Sequence, residues 1–146
     1  GANIVLRAGS GTPYSRQSNV TQEAASGIND RSVLDGSLNG SRLPWQFRIN
    51  AKINKEFEIK WSEKKSSNLN VYLQVQNLLD AKNIISVYRA TGNPDDDGYL
   101  SASASQNEIN TTNNPESFVD LYRIKVDNPS HYSLPRMMNL GLTISF

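Results

Sequence analysis

Three carboxylates, Asp95, Asp96 and Asp97, stand immediately before Gly98. Hard cations such as calcium take oxygen ligands of this kind, so the run is a candidate metal site, set against the alternative of an ordinary solvated turn. The spacing of an EF-hand loop, with its closing Glu, is missing. Cysteine is absent and His131 is the single histidine. Thiolate sites are thereby excluded, and His131 has neither a second imidazole for a metal nor an evident nucleophile to serve. No catalytic residue is expected, and hence no enzymatic activity. Tyr14, Tyr88, Tyr99, Tyr122 and Tyr132 lie in or beside stretches without apolar periodicity. Such rings suit stacking on a sugar or, the expectation here, packing a loop. Arg48, Lys52, Glu56, Glu58 and Lys60 all occupy even positions of one segment. There they suit guiding a substrate, contacting another domain or, the commonest use, pairing with opposite charges across strands.

The segment that must position those charges runs from Trp45 to Trp61. Its odd positions, Trp45, Phe47, Ile49, Ala51, Ile53, Phe57, Ile59 and Trp61, are apolar except for Lys55, and every even position is polar. Successive side chains of a strand point to opposite faces, so the pattern predicts a β-strand with one oily and one wet face. Strands of globular proteins mostly run about 3 to 10 residues, and one tilted by roughly 45° crosses a membrane's hydrocarbon in about 9 to 11. This segment exceeds both. Tryptophans at its two ends fit the aromatic girdles of a transmembrane barrel, making Trp45 and Trp61 candidate membrane-interface residues. The even residues then line a hydrated or plugged interior, and Lys55 belongs near an interface. The competing reading is a long strand of a soluble sandwich that binds carbohydrate through its tyrosines.

The 146 residues, 16.2 kDa and net charge of +1 describe one domain's worth of chain with no argument for nucleic-acid binding. No apolar run is long enough for a transmembrane helix, and the chain begins Gly1-Ala2 without methionine or signal peptide, which reads as a mature, cut or partial product. Mean hydropathy of -0.54 says little, because barrel strands spend half their residues on a polar lumen. Four alternating segments are expected as strands at about 2–14, 45–61, 69–80 and 134–146, with two long exposed polar loops at about 15–43 and 89–133. Ser62 to Asn68 reads as a short turn, Leu78-Leu79-Asp80 as a bulge or strand end, and Phe118 to Val126 as a short strand or helix within the second loop. Long loops on one side and a short turn on the other match outer-membrane barrels, whose long loops are extracellular and whose chain ends are periplasmic. Four strands cannot close such a barrel, which takes at least about eight, so more chain or further subunits must complete it. The predicted class is all-β: antiparallel strands forming part of a transmembrane β-barrel.

The last residues, MNLGLTISF, resemble the C-terminal signature of bacterial outer-membrane barrels, with Leu140, Leu142, Ile144 and terminal Phe146 at two-residue spacing. GSGTPYSRQ, GSLNGSRLPWQFRINAKINKEF, LNVYLQVQNLLDAKN, VYRATGNPDDDGYL and NPSHYSLPRMMNLGLTISF are similar to the closing strands and loops of TonB-dependent receptors from the Bacteroidetes. The resemblance implies the last four strands of a barrel of about 22 strands in the bacterial cell outer membrane. It further implies contact with outer-membrane lipid, an upstream plug domain, a TonB complex engaged through an N-terminal part, and energised uptake of a ligand. Neither plug nor TonB box is in this sequence, and the ligand-binding residues are not named by it. A second expectation keeps the barrel but makes it a structural subunit of a larger envelope or secretion assembly, whose loops bind a surface lipoprotein or other envelope partner.

Overall fold

A computed structural model describes residues 1–28, 33–62 and 65–145; of residues 61, 62 and 65 it describes the backbone alone. The elements in chain order are β1 (Ala2–Gly9), β2 (Pro13–Tyr14), β3 (Arg16–Gln17), α1 (Glu23–Ser26), β4 (Leu34–Asp35), β5 (Ser41–Arg42), β6 (Gln46–Ser62), β7 (Lys65–Gln76), α2 (Ser103–Thr111), α3 (Pro115–Val126), a 3-10 turn at Pro129–His131, and β8 (Met137–Ser145). They fall into two compact units. One holds residues 1–9, 46–82 and 134–146; the other, here the cap unit, holds 10–45 and 83–133.

The first unit is an antiparallel sheet in the order β1-β6-β7-β8. Its register aligns the apolar positions of all strands into rows. Ala2, Ile53, Leu73 and Leu140 form one row, Ile4, Ala51, Val75 and Met138 the next, while Lys55, Val71 and Leu142 and then Phe57, Leu69 and Ile144 follow toward the other end. A slip of one residue would turn each row to the opposite face, so the alternation itself fixes this pairing. The polar rows include Asn3, Lys52, Gln74 and Asn139, and Glu56, Asn70 and Thr143. On that polar face Tyr72 and Gly141 are direct partners, and any Cβ at 141 would run into the Tyr72 ring. Glycine there is what lets the ring cross β8, and the same ring receives Lys52 Nζ at 5.0 Å from its centroid.

β7 stops at Gln76 because Asn77 takes the left-handed conformation, φ 53°. Asn77 is almost wholly buried and acts as a clamp. Its side-chain amide donates to the carbonyls of Ala81 and Leu134, both at 3.1 Å, its Oδ1 accepts the Ala81 N–H at 3.0 Å, and its own N–H donates to Asn50 Oδ1 at 3.1 Å. Asp80, also left-handed at φ 52°, accepts the Arg136 N–H at 2.8 Å. The Asn77 to Asp80 turn thus ties the end of β7 to the approach of β8.

Three boundaries differ from the sequence expectation. β1 ends at Gly9 rather than near residue 14, because Pro13-Tyr14 pairs with Ser41-Arg42 in a small sheet of its own. β7 spans 65–76 rather than 69–80, since Ser66 to Asn68 continue the ladder opposite Lys60 to Glu58. β8 starts at Met137, beyond Pro135 and the Asp80 contact. The fold is also not all-β. The two long polar stretches, expected as exposed loops, together build the cap unit with three helices and a core of Tyr88, Tyr99, Ile109, Tyr122 and Val126. α3 explains itself locally: Asn114 Oδ1 accepts the Ser117 N–H at 3.3 Å, Pro115 occupies the first turn, and Phe118, Tyr122 and Val126 recur on one stripe.

Candidate functional site

The sheet unit presents its apolar rows to the outside. Ile4, Leu6, Met138, Leu140 and Leu142 are each at least 67% exposed. Among the described residues Val75 is the one buried apolar side chain of this unit. Scattered apolar side chains on a surface are ordinary, whereas rows that run through up to four strands form an extended apolar face of the kind found at protein–protein and membrane contacts. From Phe47 to Phe57 the strand covers roughly 34 Å at about 3.4 Å per residue; a tilt of about 45° would bring this to roughly 24 Å, beside the ~25 Å apolar belt typical of outer-membrane barrels. Lys55 interrupts the row two residues before Phe57, beside Val71.

Leu140, Leu142 and Ile144 project from β8 into successive apolar rows opposite Leu73, Val71 and Leu69; Phe146 lies outside the described residues. Trp45 precedes β6 by one residue and is 64% exposed. Trp61 lies within β6, its side chain outside the described residues. The charged even positions do not meet opposite charges. Arg48 stands directly opposite Arg7, Lys52 between Asn3 and Gln74, Glu56 opposite Asn70 and Glu58 opposite Asn68. Sequence periodicity sorts residues by face, whereas the partner on the next strand depends on a register that it does not contain.

In the cap unit the carboxylates of Asp95, Asp96 and Asp97 turn to separate donors. Asp95 Oδ2 accepts the Tyr132 hydroxyl at 2.5 Å, Asp96 Oδ1 accepts the Gly98 N–H at 2.7 Å, and Gly98 turns the chain at φ 79°. Asp97 is fully buried: Oδ1 accepts the Tyr99 N–H at 3.0 Å, while Oδ2 accepts the Ala24 N–H at 3.1 Å and the Tyr122 hydroxyl at 2.5 Å. Among the described residues no three His, Asp or Glu side chains are placed to hold a metal ion. Asp97 instead organises the core, joining α1, α3 and the turn. Burial, followed by the hydrogen bond to Asp97, pushes the Tyr122 phenol far above its ordinary range. Burial also lifts Tyr88, whose hydroxyl donates to Val126 O at 3.0 Å, to about 12. Tyr132 is likewise raised to about 12, chiefly by its bond to Asp95.

His131 is buried with Nδ1 2.6 Å from Pro94 O and its ring edge-on to Tyr88 at 4.6 Å. It packs the cap rather than facing a nucleophile. Beside it a cavity of about 340 Å³ is bordered by Tyr14, Glu23, Val87, Arg89 and Asn128. Glu23 Oε2 accepts the Arg89 N–H at 2.9 Å, and burial raises its pKa above the ordinary carboxylate range. Sequence reading missed Glu23, Asn77 and the Tyr72–Gly141 contact. For Asn77 a signal existed in the broken alternation at Leu78-Leu79, but Glu23 lies in a segment with no periodicity at all. No helix among the described residues is long and apolar enough to cross a membrane. Comparison of the chain with protein-family models, with curated proteins and with solved structures yields no match in any of the three.

Proposed function

We propose that the sheet unit is a section of wall from an outer-membrane β-barrel of the TonB-dependent receptor type, with residues 10–45 and 83–133 as extracellular segments, serving energised uptake of a ligand. The observation that carries this reading is the set of apolar rows, two of them running through β1, β6, β7 and β8, largely exposed, with an apolar span along β6 that a barrel-like tilt would make about as tall as a bilayer's apolar core. Water would penalise such a surface by roughly 25 cal/mol for every Å² left open, whereas hydrocarbon accepts it. Inside hydrocarbon all backbone groups must pair, so the free edges of β1 and β8 call for neighbouring strands from more chain or other subunits. The polar rows then line the interior. Rigid wall and folded cap hold position while a plug supplied elsewhere moves.

The test is the intact mass of the native polypeptide, extracted from membranes with detergent and from the soluble fraction in parallel. A membrane-bound species several times 16.2 kDa supports a large single-chain barrel. Recovery only from the soluble fraction at 16.2 kDa would sink the reading. A structural role in an envelope assembly is separated by deleting residues 89–133, since loss of assembly with uptake intact favours that role.

A further inference from the structure

The like-charged pair at the upper end of the polar face points to a bound anion. Arg7 and Arg48 are direct register partners on β1 and β6, and directly opposite residues have Cβ atoms about 4.5–5.5 Å apart, where equal charges repel. Among the described residues neither guanidinium has a carboxylate partner, and the two ion pairs present, Arg16–Asp35 and Arg123–Asp120, both lie in the cap unit. The next carboxylate on this face of β6 is Glu56, roughly 27 Å along the strand at about 3.4 Å per residue, well beyond a Debye length of about 8 Å. Asp80 accepts the Arg136 N–H through Oδ1 at 2.8 Å and forms no ion pair with either arginine among the described residues. The imbalance extends over the unit: nine basic against four acidic residues in the sheet segments, six against ten in the cap segments. Lys52, two rows from the pair on the same face, adds a further cation above the Tyr72 ring.

We infer that Arg7 and Arg48 form an anion site on the polar face, taking a phosphate or carboxylate group between their two guanidinium forks. A guanidinium presents paired N–H donors that match two oxygens of such a group, and two forks side by side turn mutual repulsion into a shared attraction. The group has two possible sources: a free anionic ligand, or an acidic side chain of another segment or subunit enclosed by the same wall. The site depends on the barrel reading only for where this face points, since the Arg7–Arg48 register holds in either case.

The experiment uses the protein purified as it exists in the cell, in detergent if it is membrane-bound, and its variant Arg7→Gln/Arg48→Gln. Thermal unfolding is followed against inorganic phosphate, with ionic strength held constant by chloride. Stabilisation of the wild type by phosphate, with at least a tenfold higher concentration needed in the variant, identifies a free anion. A wild type indifferent to phosphate and a variant less stable throughout identify a fixed carboxylate. A variant more stable than wild type, a phosphate stabilisation of equal size in both, or a variant as stable as wild type with neither responding to phosphate overturns the proposal. Single substitutions Arg7→Lys and Arg48→Lys keep the charge but remove the fork: a weakened phosphate response in each supports the two-fork site, and responses equal to wild type in both would overturn it. A soluble protein that still shows the phosphate response would refute the barrel and leave the anion site standing.

Discussion

The two units solve the same physical problem in opposite ways. The cap unit follows the rules of a protein in water: Tyr88, Tyr99, Ile109, Tyr122 and Val126 go inside, and the buried carboxylate of Asp97 is given three donors. The sheet unit has a complete internal ladder and almost no apolar interior, its large side chains turned outward in rows. A ladder can satisfy amides but buries little oil, and on the proposed reading the sheet draws its driving force from lipid over those rows. The difference teaches that strand content alone does not supply an apolar interior: the cap unit buries its own core, and the sheet unit leaves its apolar rows exposed.

The largest expected effect breaks the sheet side of that comparison. Leu140 lies in the row with Ile53 and Leu73, near the middle of the band, and Ile144 in a row at its lower end. In lipid, Leu140→Arg is expected to cost about 2–4 kcal/mol and Ile144→Arg about 0–1 kcal/mol, read by unfolding from vesicles. Asn139→Arg, one residue away on the polar face, should cost far less. Equal costs at all three positions would remove the lipid-facing band.

Next comes the clamp at the end of β7. Asn77→Ala removes side-chain bonds to Ala81 and Leu134 and forces alanine into a left-handed conformation. The lost bonds are expected to cost about 1–3 kcal/mol and the conformation roughly 1–2 kcal/mol more. Asn77→Gly keeps only the first cost, so equilibrium unfolding of the two variants separates side chain from backbone.

A smaller, local effect sharpens the cap side. Tyr122→Phe leaves one oxygen of buried Asp97 without its hydroxyl donor and is expected to cost about 1–3 kcal/mol. Hydrogen exchange should show faster opening of α1 and α3 with the β6–β7 ladder unchanged. Opening of the ladder to the same degree would mean that the units do not behave separately.

The smallest effect is a pH dependence. The Glu23 pKa is raised in the folded cap, first by burial, so its stabilising contribution is complete below the unfolded carboxylate pKa and is lost as pH rises through the folded value. Cap stability is therefore expected to fall over that interval, and Glu23→Gln, which retains an acceptor for the Arg89 N–H, should flatten the fall. An unchanged pH profile in the variant would place the titration elsewhere.

What could be read in advance follows from these same forces. A period of two is written into β6 residue by residue, so its length, its faces and the odd position of Lys55 were all legible. The pairing of Arg48 with Arg7 was not, because it depends on where β1 starts relative to β6. The cap was hidden for a different reason. Its core residues, from Tyr88 to Val126, are brought together by turns and by Asp97 rather than by any repeating pattern. The short strand or helix expected at 118–126 is a helix that starts at Pro115, and the Asn114 cap ahead of it is a signal the sequence reading did not use. The carboxylate run has structural roles in the cap, Asp97 as a hub and Asp96 in the Gly98 turn, which its composition alone does not reveal.

The most direct measurement uses the absence of cysteine from this chain. Single cysteines introduced at 138, 139, 140, 142, 143 and 144, leaving Gly141 under the Tyr72 ring untouched, and spin-labelled in the membrane-reconstituted protein report access to oxygen dissolved in lipid and to a water-soluble nickel chelate. Alternation is predicted, with Met138, Leu140, Leu142 and Ile144 open to oxygen and Asn139 and Thr143 open to the chelate. Uniform access to the chelate at every position would contradict the claim that the apolar rows of this sheet face lipid.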